Sequence, residues 1–140
     1  MSLTDEERMT VVNYRLEKAR ITMEQLKNLV PLGYWDIIAN RLYYAAYYAV
    51  SALLLQTGHT AQTHHDIIHL FGLHFIKTSL LDNRYGSLYS QLFSLRQTGD
   101  YGDTFGLTQE QVEPLIQPTE EMIARITSIV NKTKNTNSQP

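Results

Sequence analysis

The stretch from Tyr34 to Gln56, YWDIIANRLYYAAYYAVSALLLQ, limits the fold more than any other part of the chain. It holds no Gly or Pro and is bounded by Gly33 and Gly58. At 3.6 residues per turn it makes about six turns of helix. Almost every position is apolar or aromatic, so no face suits water, and a helix of that kind lies in a protein core or a membrane. Asp36, Asn40 and Arg41 argue against the membrane. The uninterrupted apolar run between Arg41 and Ser51 also falls short of the about 20 residues that a bilayer needs. The stretch is therefore expected to be the central helix of a soluble bundle. Asn40, Tyr44, Tyr47 and Ser51 follow i, i+4, i+7, i+11 spacing and share one stripe, with Arg41 and Tyr48 beside it. Buried hydroxyls on such a stripe need partners, from other helices, a second subunit or a ligand.

The remaining periodic segments supply helices to cover it. Asp5 to Val30 reads as a first helix, with Thr4 and Glu7 at capping-box spacing and an apolar stripe through Met9, Val12, Leu16, Ala19, Met23, Leu26 and Val30. Pro31 and Gly33 end it. After the polar GHTAQT loop, Thr63 caps a third helix with Ile68, Phe71 and Phe75 inward. A fourth is expected over Arg84 to Gln97, its core side Tyr85, Leu88, Leu92 and Leu95, broken by Gly99 and Gly102. Thr108 and Gln111 cap a fifth carrying Val112, Ile116, Ile123, Ile126 and Val130, its first turns kinked by Pro114 and Pro118. No run alternates with period two between turn signals. The fold class expected is all-α, an antiparallel up-and-down bundle of four to five helices. Residues 1–131 form a single domain, and 132–140 a polar, disordered tail.

With 140 residues the chain is one domain with a real core. A formal net charge of -2 gives no broad electrostatic grip on nucleic acid and leaves room only for a local basic cleft. The absence of cysteine removes disulfide and thiol chemistry. The acidic, polar start MSLTDEERMT is not a secretory or transit signal, so the cytoplasm is the expected compartment.

His65 and His69 stand at i, i+4, a spacing that can hold a metal, with His64 and His74 nearby. There is no HExxH pattern and no carboxylate at ligand spacing, so a solvated face is the better reading and neither a metal nor a cofactor is expected. Tyr89, Phe93, Arg96 and Asp100 share a face of the fourth helix, turned away from its leucines. A guanidinium beside aromatic rings suits a phosphate or a base. The plainer alternative is an Arg96–Asp100 ion pair closing the helix end. No Gly-rich phosphate loop and no nucleophile with a spaced base are present.

Three blocks in this order, NRLYYAAYYAVSALLLQTG, THHDIIHLFGLHFIKTSLL and YGSLYSQLFSLRQTGDY, resemble the HEPN domain proteins of bacteria and archaea. The likeness spans about Asp5 to Val130. It implies a small antiparallel helical bundle, usually a homodimer, often acting with a minimal nucleotidyltransferase in toxin–antitoxin or defence modules, or binding nucleotides or RNA. Catalytic members share an Arg followed, after four to six residues, by a His; paired across the dimer these make a metal-independent ribonuclease. Arg96 matches the arginine. The histidine would fall at Tyr101, Gly102 or Asp103, none of which is His. A tyrosine, with an ordinary pKa near 10, is a poor base at neutral pH.

The resemblance with this departure implies a binding member. The expected ligand site is Arg96, Asp100 and Tyr101 facing Asn40, Arg41, Tyr44 and Tyr47, for RNA or a nucleotide, in a homodimer partnered by a nucleotidyltransferase. The alternatives are an endoribonuclease of non-standard motif, with Arg96 and His64 as catalytic candidates, and a structural interaction module.

Overall fold

The computed structural model of the protein describes residues 3–102 and 106–138. Helix α1 (Asp5–Leu29) begins at the reciprocal box: the Thr4 side chain accepts from the Glu7 N–H, and Glu7 accepts from the Thr4 N–H. A 3-10 turn over Val30–Leu32 follows, and Gly33 at φ 72 takes the left-handed conformation that turns the chain into α2 (Trp35–Gln56). Helix α3 (His64–Phe71) is capped by Thr63, whose hydroxyl accepts from the Asp66 N–H, and it runs into a π turn over Gly72–Ile76. Helix α4 spans Asn83–Tyr101. The expected fifth helix is split at Pro114 into α5 (Gln109–Val112), a 3-10 turn (Glu113–Leu115) and α6 (Ile116–Ser138). The backbone of residues 132–138, expected as tail, is thus drawn as helix; 139–140 lie outside the described residues.

The result is an all-α up-and-down bundle with no strand among the described residues. Helix α2 lies at its centre against α1, α4 and α6, with α3 and α5 closing the remaining sides. Leu42, Tyr43, Ala46, Ala49, Val50 and Leu53 have no exposed surface at all. The alanines let neighbouring helices approach closely, and the larger residues fill the layers between them. No helix among the described residues is long and apolar enough to cross a membrane.

Two sequence expectations need correction. Gly99 does not break α4; it lies inside the helix. An added Cβ there would come 3.0 Å from Leu107 Cδ1 and 3.6 Å from Asp36 Cα, so the glycine serves close approach rather than termination. Gly102 is the cap, its N–H donating to the Thr98 carbonyl at 2.9 Å. Second, Tyr89 and Phe93 are not on an outward face of α4: they are 0% and 8% exposed and belong to the core. Helix α4 is covered on that side by α3 as well as by α2, which its leucine stripe alone did not reveal. On α3, Ile67 is buried and Ile68 only half-buried.

Leu53→Asp places an unpaired charge where no surface is exposed. That costs several kcal/mol, comparable with the whole stability of a domain of this size, roughly 5–15 kcal/mol. The variant is expected to lose the cooperative thermal transition seen by circular dichroism; an unchanged melt would displace α2 from the centre.

Candidate functional site

The site is built where the first turns of α2 meet the last turns of α4. Asp36, in the first turn of α2, accepts the Leu107 N–H at 2.7 Å and pins the chain as it returns from α4. One turn further along, Asn40 uses both ends of its amide. Its Nδ2 donates to Asp100 Oδ2 at 3.0 Å, and its Oδ1 accepts from Arg41 Nε and Nη2 at 3.2 and 3.1 Å. The same Asp100 oxygen accepts from Arg96 Nε at 3.1 Å. Arg41, Asn40, Asp100 and Arg96 therefore form one continuous chain across two helices. The Arg96–Asp100 ion pair of the plainer reading is present, with side chains 13% and 24% exposed, and it is part of this larger network.

Both guanidinium groups lie over one ring. Arg41 Cζ is 5.3 Å and Arg96 Cζ 5.2 Å from the centroid of Tyr44, and Arg96 is also 5.6 Å from that of Tyr43. The ring quadrupole attracts both cations and helps hold two like charges in one place. Their carboxylate partners differ. Arg96 has Asp100; Arg41 has no ion-pair partner among the described residues, only the neutral Asn40. The cluster therefore keeps excess positive charge at Arg41.

Tyr43, one residue before that ring, is the member that sequence reasoning missed. It is fully buried, stacks on Tyr89 at 5.8 Å, and its hydroxyl lies 2.5 Å from His64 Nδ1. Burial pushes its pKa up to about 12, so the hydroxyl keeps its proton beside the ring nitrogen. Burial first, then the charges of Arg96 and His65, lower the pKa of His64 and favour the neutral imidazole. In the tautomer whose Nδ1 accepts from Tyr43, the proton of neutral His64 is on Nε2. Its ring lies against Tyr44 and Tyr47, 6.1 and 5.1 Å between centroids. The hydroxyl of Tyr89 is buried, and burial first, then Tyr43, holds its pKa well above the usual tyrosine range.

The structure thus brings together Asn40, Arg41, Tyr44, Tyr47, His64, Arg96 and Asp100. Tyr101 stands apart: it is 72% exposed and makes no hydrogen bond or ring contact with the cluster among the described residues. At Gly102 an added Cβ would lie 2.5 Å from the Thr98 carbonyl oxygen, so that position has no room for a side chain on this backbone. Asp103 lies outside the described residues. His65 and His69 are exposed, and no three metal-ligating side chains gather among the described residues.

The HEPN domain model matches residues 12–129 of the chain, which includes every member of this cluster. The chain belongs to the HEPN domain family. Among the relatives of this HEPN protein, a UPF0332 protein of Thermotoga maritima is 30% identical over 128 residues, covering 91% of this chain and 97% of that one. A protein of Methanocaldococcus jannaschii named "Putative toxin" is 33% identical over 101 residues, 72% of this chain and 69% of its own. A second protein of that organism with the same style of name is 33% identical over 93 residues, 66% and 68% of the two chains.

The lowered pKa of His64 has a stability consequence with a definite sign. A histidine with a folded pKa below its unfolded value near 6.5 favours the folded state above 6.5, and that contribution is lost as pH falls through the folded pKa. His59, lowered by burial and by His74, acts in the same direction. Melting temperature is therefore expected to fall between pH 7 and pH 5, and His64→Gln should flatten part of the fall. Melts independent of pH over that window would contradict the burial of these rings.

Proposed function

We propose that this HEPN protein binds RNA or a nucleotide through its phosphate at Arg41 and Arg96, and that it serves as the toxin-like member of a pair with a nucleotidyltransferase. The observation that carries the reading is the placement of both guanidinium groups over Tyr44, one of them with no carboxylate to neutralise it. Arginine forks onto phosphate, and a ring beside it offers a surface to a base. The Asn40–Asp100 link holds the pair in position before any ligand arrives, which lowers the entropy lost on binding. The toxin-named relatives support the role.

Arg41→Ala is expected to weaken binding of a labelled single-stranded RNA by about tenfold or more, the value of a charge-assisted hydrogen bond. Because Arg41 has no ion pair to lose, the melting temperature should change little. Fluorescence anisotropy alongside a thermal melt gives both quantities. Unchanged affinity in both Arg41→Ala and Arg96→Ala would remove the site.

Binding without rapid turnover is the form of the proposal, because no histidine follows Arg96 at the family spacing. One observation favours the enzymatic alternative: His64 is neutral-leaning and lies within reach of the Arg96 charge. Metal-independent cleavage of RNA, lost in His64→Gln and in Arg96→Ala, would establish that alternative.

The proposal includes a two-fold homodimer that brings two such sites close together. With Tyr89 and Phe93 buried, the exposed apolar residues that could meet a second copy beside the site are Ile37, 52% exposed and one turn before Asn40, and Tyr101, which follows Asp100. Ile37→Asp is expected to convert a dimeric mass to a monomeric one by light scattering at micromolar concentration; a monomeric mass for the unaltered protein would dismiss the dimer.

A further inference from the structure

Helix α1 has two electrostatically different sides. On one, Arg20 pairs with Glu17 and Glu24, and Lys27 pairs with Glu120 of α6. Each cation there is neutralised by a carboxylate. On the other side, Arg15 and Lys18 have no ion-pair partner among the described residues. Lys18 Nζ lies over two tyrosine rings, 4.8 Å from Tyr48 of α2 and 5.8 Å from Tyr14 of its own helix. Arg15 Nη1 donates to the Ser51 carbonyl of α2 at 3.3 Å.

This second side is continuous with the site at Arg41 and Arg96. Tyr44, which carries those guanidinium groups, is 6.1 Å from Tyr48 between ring centroids, and Tyr47 is 5.7 Å from Tyr48. The half-buried tyrosines of α2 thus link the two cationic ends. The track ends on Tyr14, 64% exposed although it is a large aromatic side chain. Arg15, Lys18 and Arg41, none with an ion pair among the described residues, thus lie along the tyrosine row of α2.

We propose that the α1–α2 face from Arg41 and Arg96 through Tyr44 and Tyr48 to Lys18 and Tyr14 is a track for single-stranded RNA, with Lys18 contacting a second phosphate and Tyr14 stacking a base beyond it. The proposal rests on the reading of Arg41 and Arg96 as a phosphate site and extends it from one nucleotide to a strand. Alternating cations and aromatic rings are what an unpaired strand requires: the charges follow its backbone, and the rings accept any base on its face. A duplex hides its bases and cannot use the rings.

The test compares two ligands and fold-safe surface variants. The ligands are a fluorescein-labelled oligouridylate of about eight nucleotides, within the range one small domain covers, and uridine monophosphate. Lys18→Ala is expected to weaken the oligonucleotide several-fold and to reduce the slope of log affinity against log salt by about 0.7, the release expected for one single-strand phosphate contact. Tyr14→Ala should weaken it about fivefold or more, the contribution of one stacked base. Neither variant should alter the affinity for uridine monophosphate, whereas Arg41→Ala weakens both ligands. If Lys18→Ala and Tyr14→Ala leave oligonucleotide affinity and salt slope unchanged while Arg41→Ala lowers both affinities, the track is wrong and the phosphate site stands. If Arg41→Ala changes neither, the phosphate site itself falls and the track with it. A change in oligomeric mass in Lys18→Ala or Tyr14→Ala, without a change in the salt slope, would identify the face as a subunit contact and overturn the proposal.

Discussion

A helix with no side suited to water has to be enclosed, and the enclosure of α2 governs the rest of this molecule. Helices α1, α4 and α6 bury its alanines and leucines, and the ring layer of Tyr43, Tyr89 and Phe71 fills the space towards α3 and α4. The burial is dense enough that polar groups on α2 need a partner, from another element or from the helix's own backbone. Asp36 finds a backbone N–H of the returning chain, Asn40 finds Asp100, and the Ser51 hydroxyl turns back to the Tyr48 carbonyl. The residues of the candidate site are thus the same groups that the packing had to accommodate.

That origin explains how the site is held together. Asn40 is a neutral amide with a donor end and an acceptor end, so it can bridge a carboxylate and a guanidinium without adding charge. A carboxylate at position 40 would repel Asp100, and a lysine there would repel Arg41. The amide lets Arg41 remain uncompensated by any acid, while Asp100 partly offsets Arg96. Two arginines close together thus have unequal free charge, and the less neutralised one is the natural first contact for an anion.

Much of this was legible from residue order, and the misses have physical reasons. The Thr4–Glu7 and Thr63–Asp66 caps are local and were read directly. The centrality of α2 followed from its all-round apolarity. The pairing of Arg96 with Asp100 followed from i, i+4 spacing. Tyr43 was passed over because the run LYYAAYYA holds four tyrosines of identical chemistry. Only the angular position of each against α3 and α4 separates Tyr43, whose hydroxyl meets His64, from Tyr44, whose ring carries both arginines. Gly99 was read as a helix breaker because the contacts that require it come from Asp36 and Leu107, far away or beyond a turn in sequence. Tyr89 and Phe93 were placed outside because a leucine stripe marks one buried face of a helix and says nothing about a second.

The crowding at Gly102 limits which side chains the end of α4 can carry. Of the three positions at which the family's histidine would follow Arg96, this one cannot accept any side chain without rebuilding the last turn of α4. A histidine placed there would have to displace the Thr98 carbonyl that caps the helix. Position 101, open to solvent, carries no such constraint. Between these two neighbours, a proton-carrying side chain fits the present helix end at 101 and not at 102.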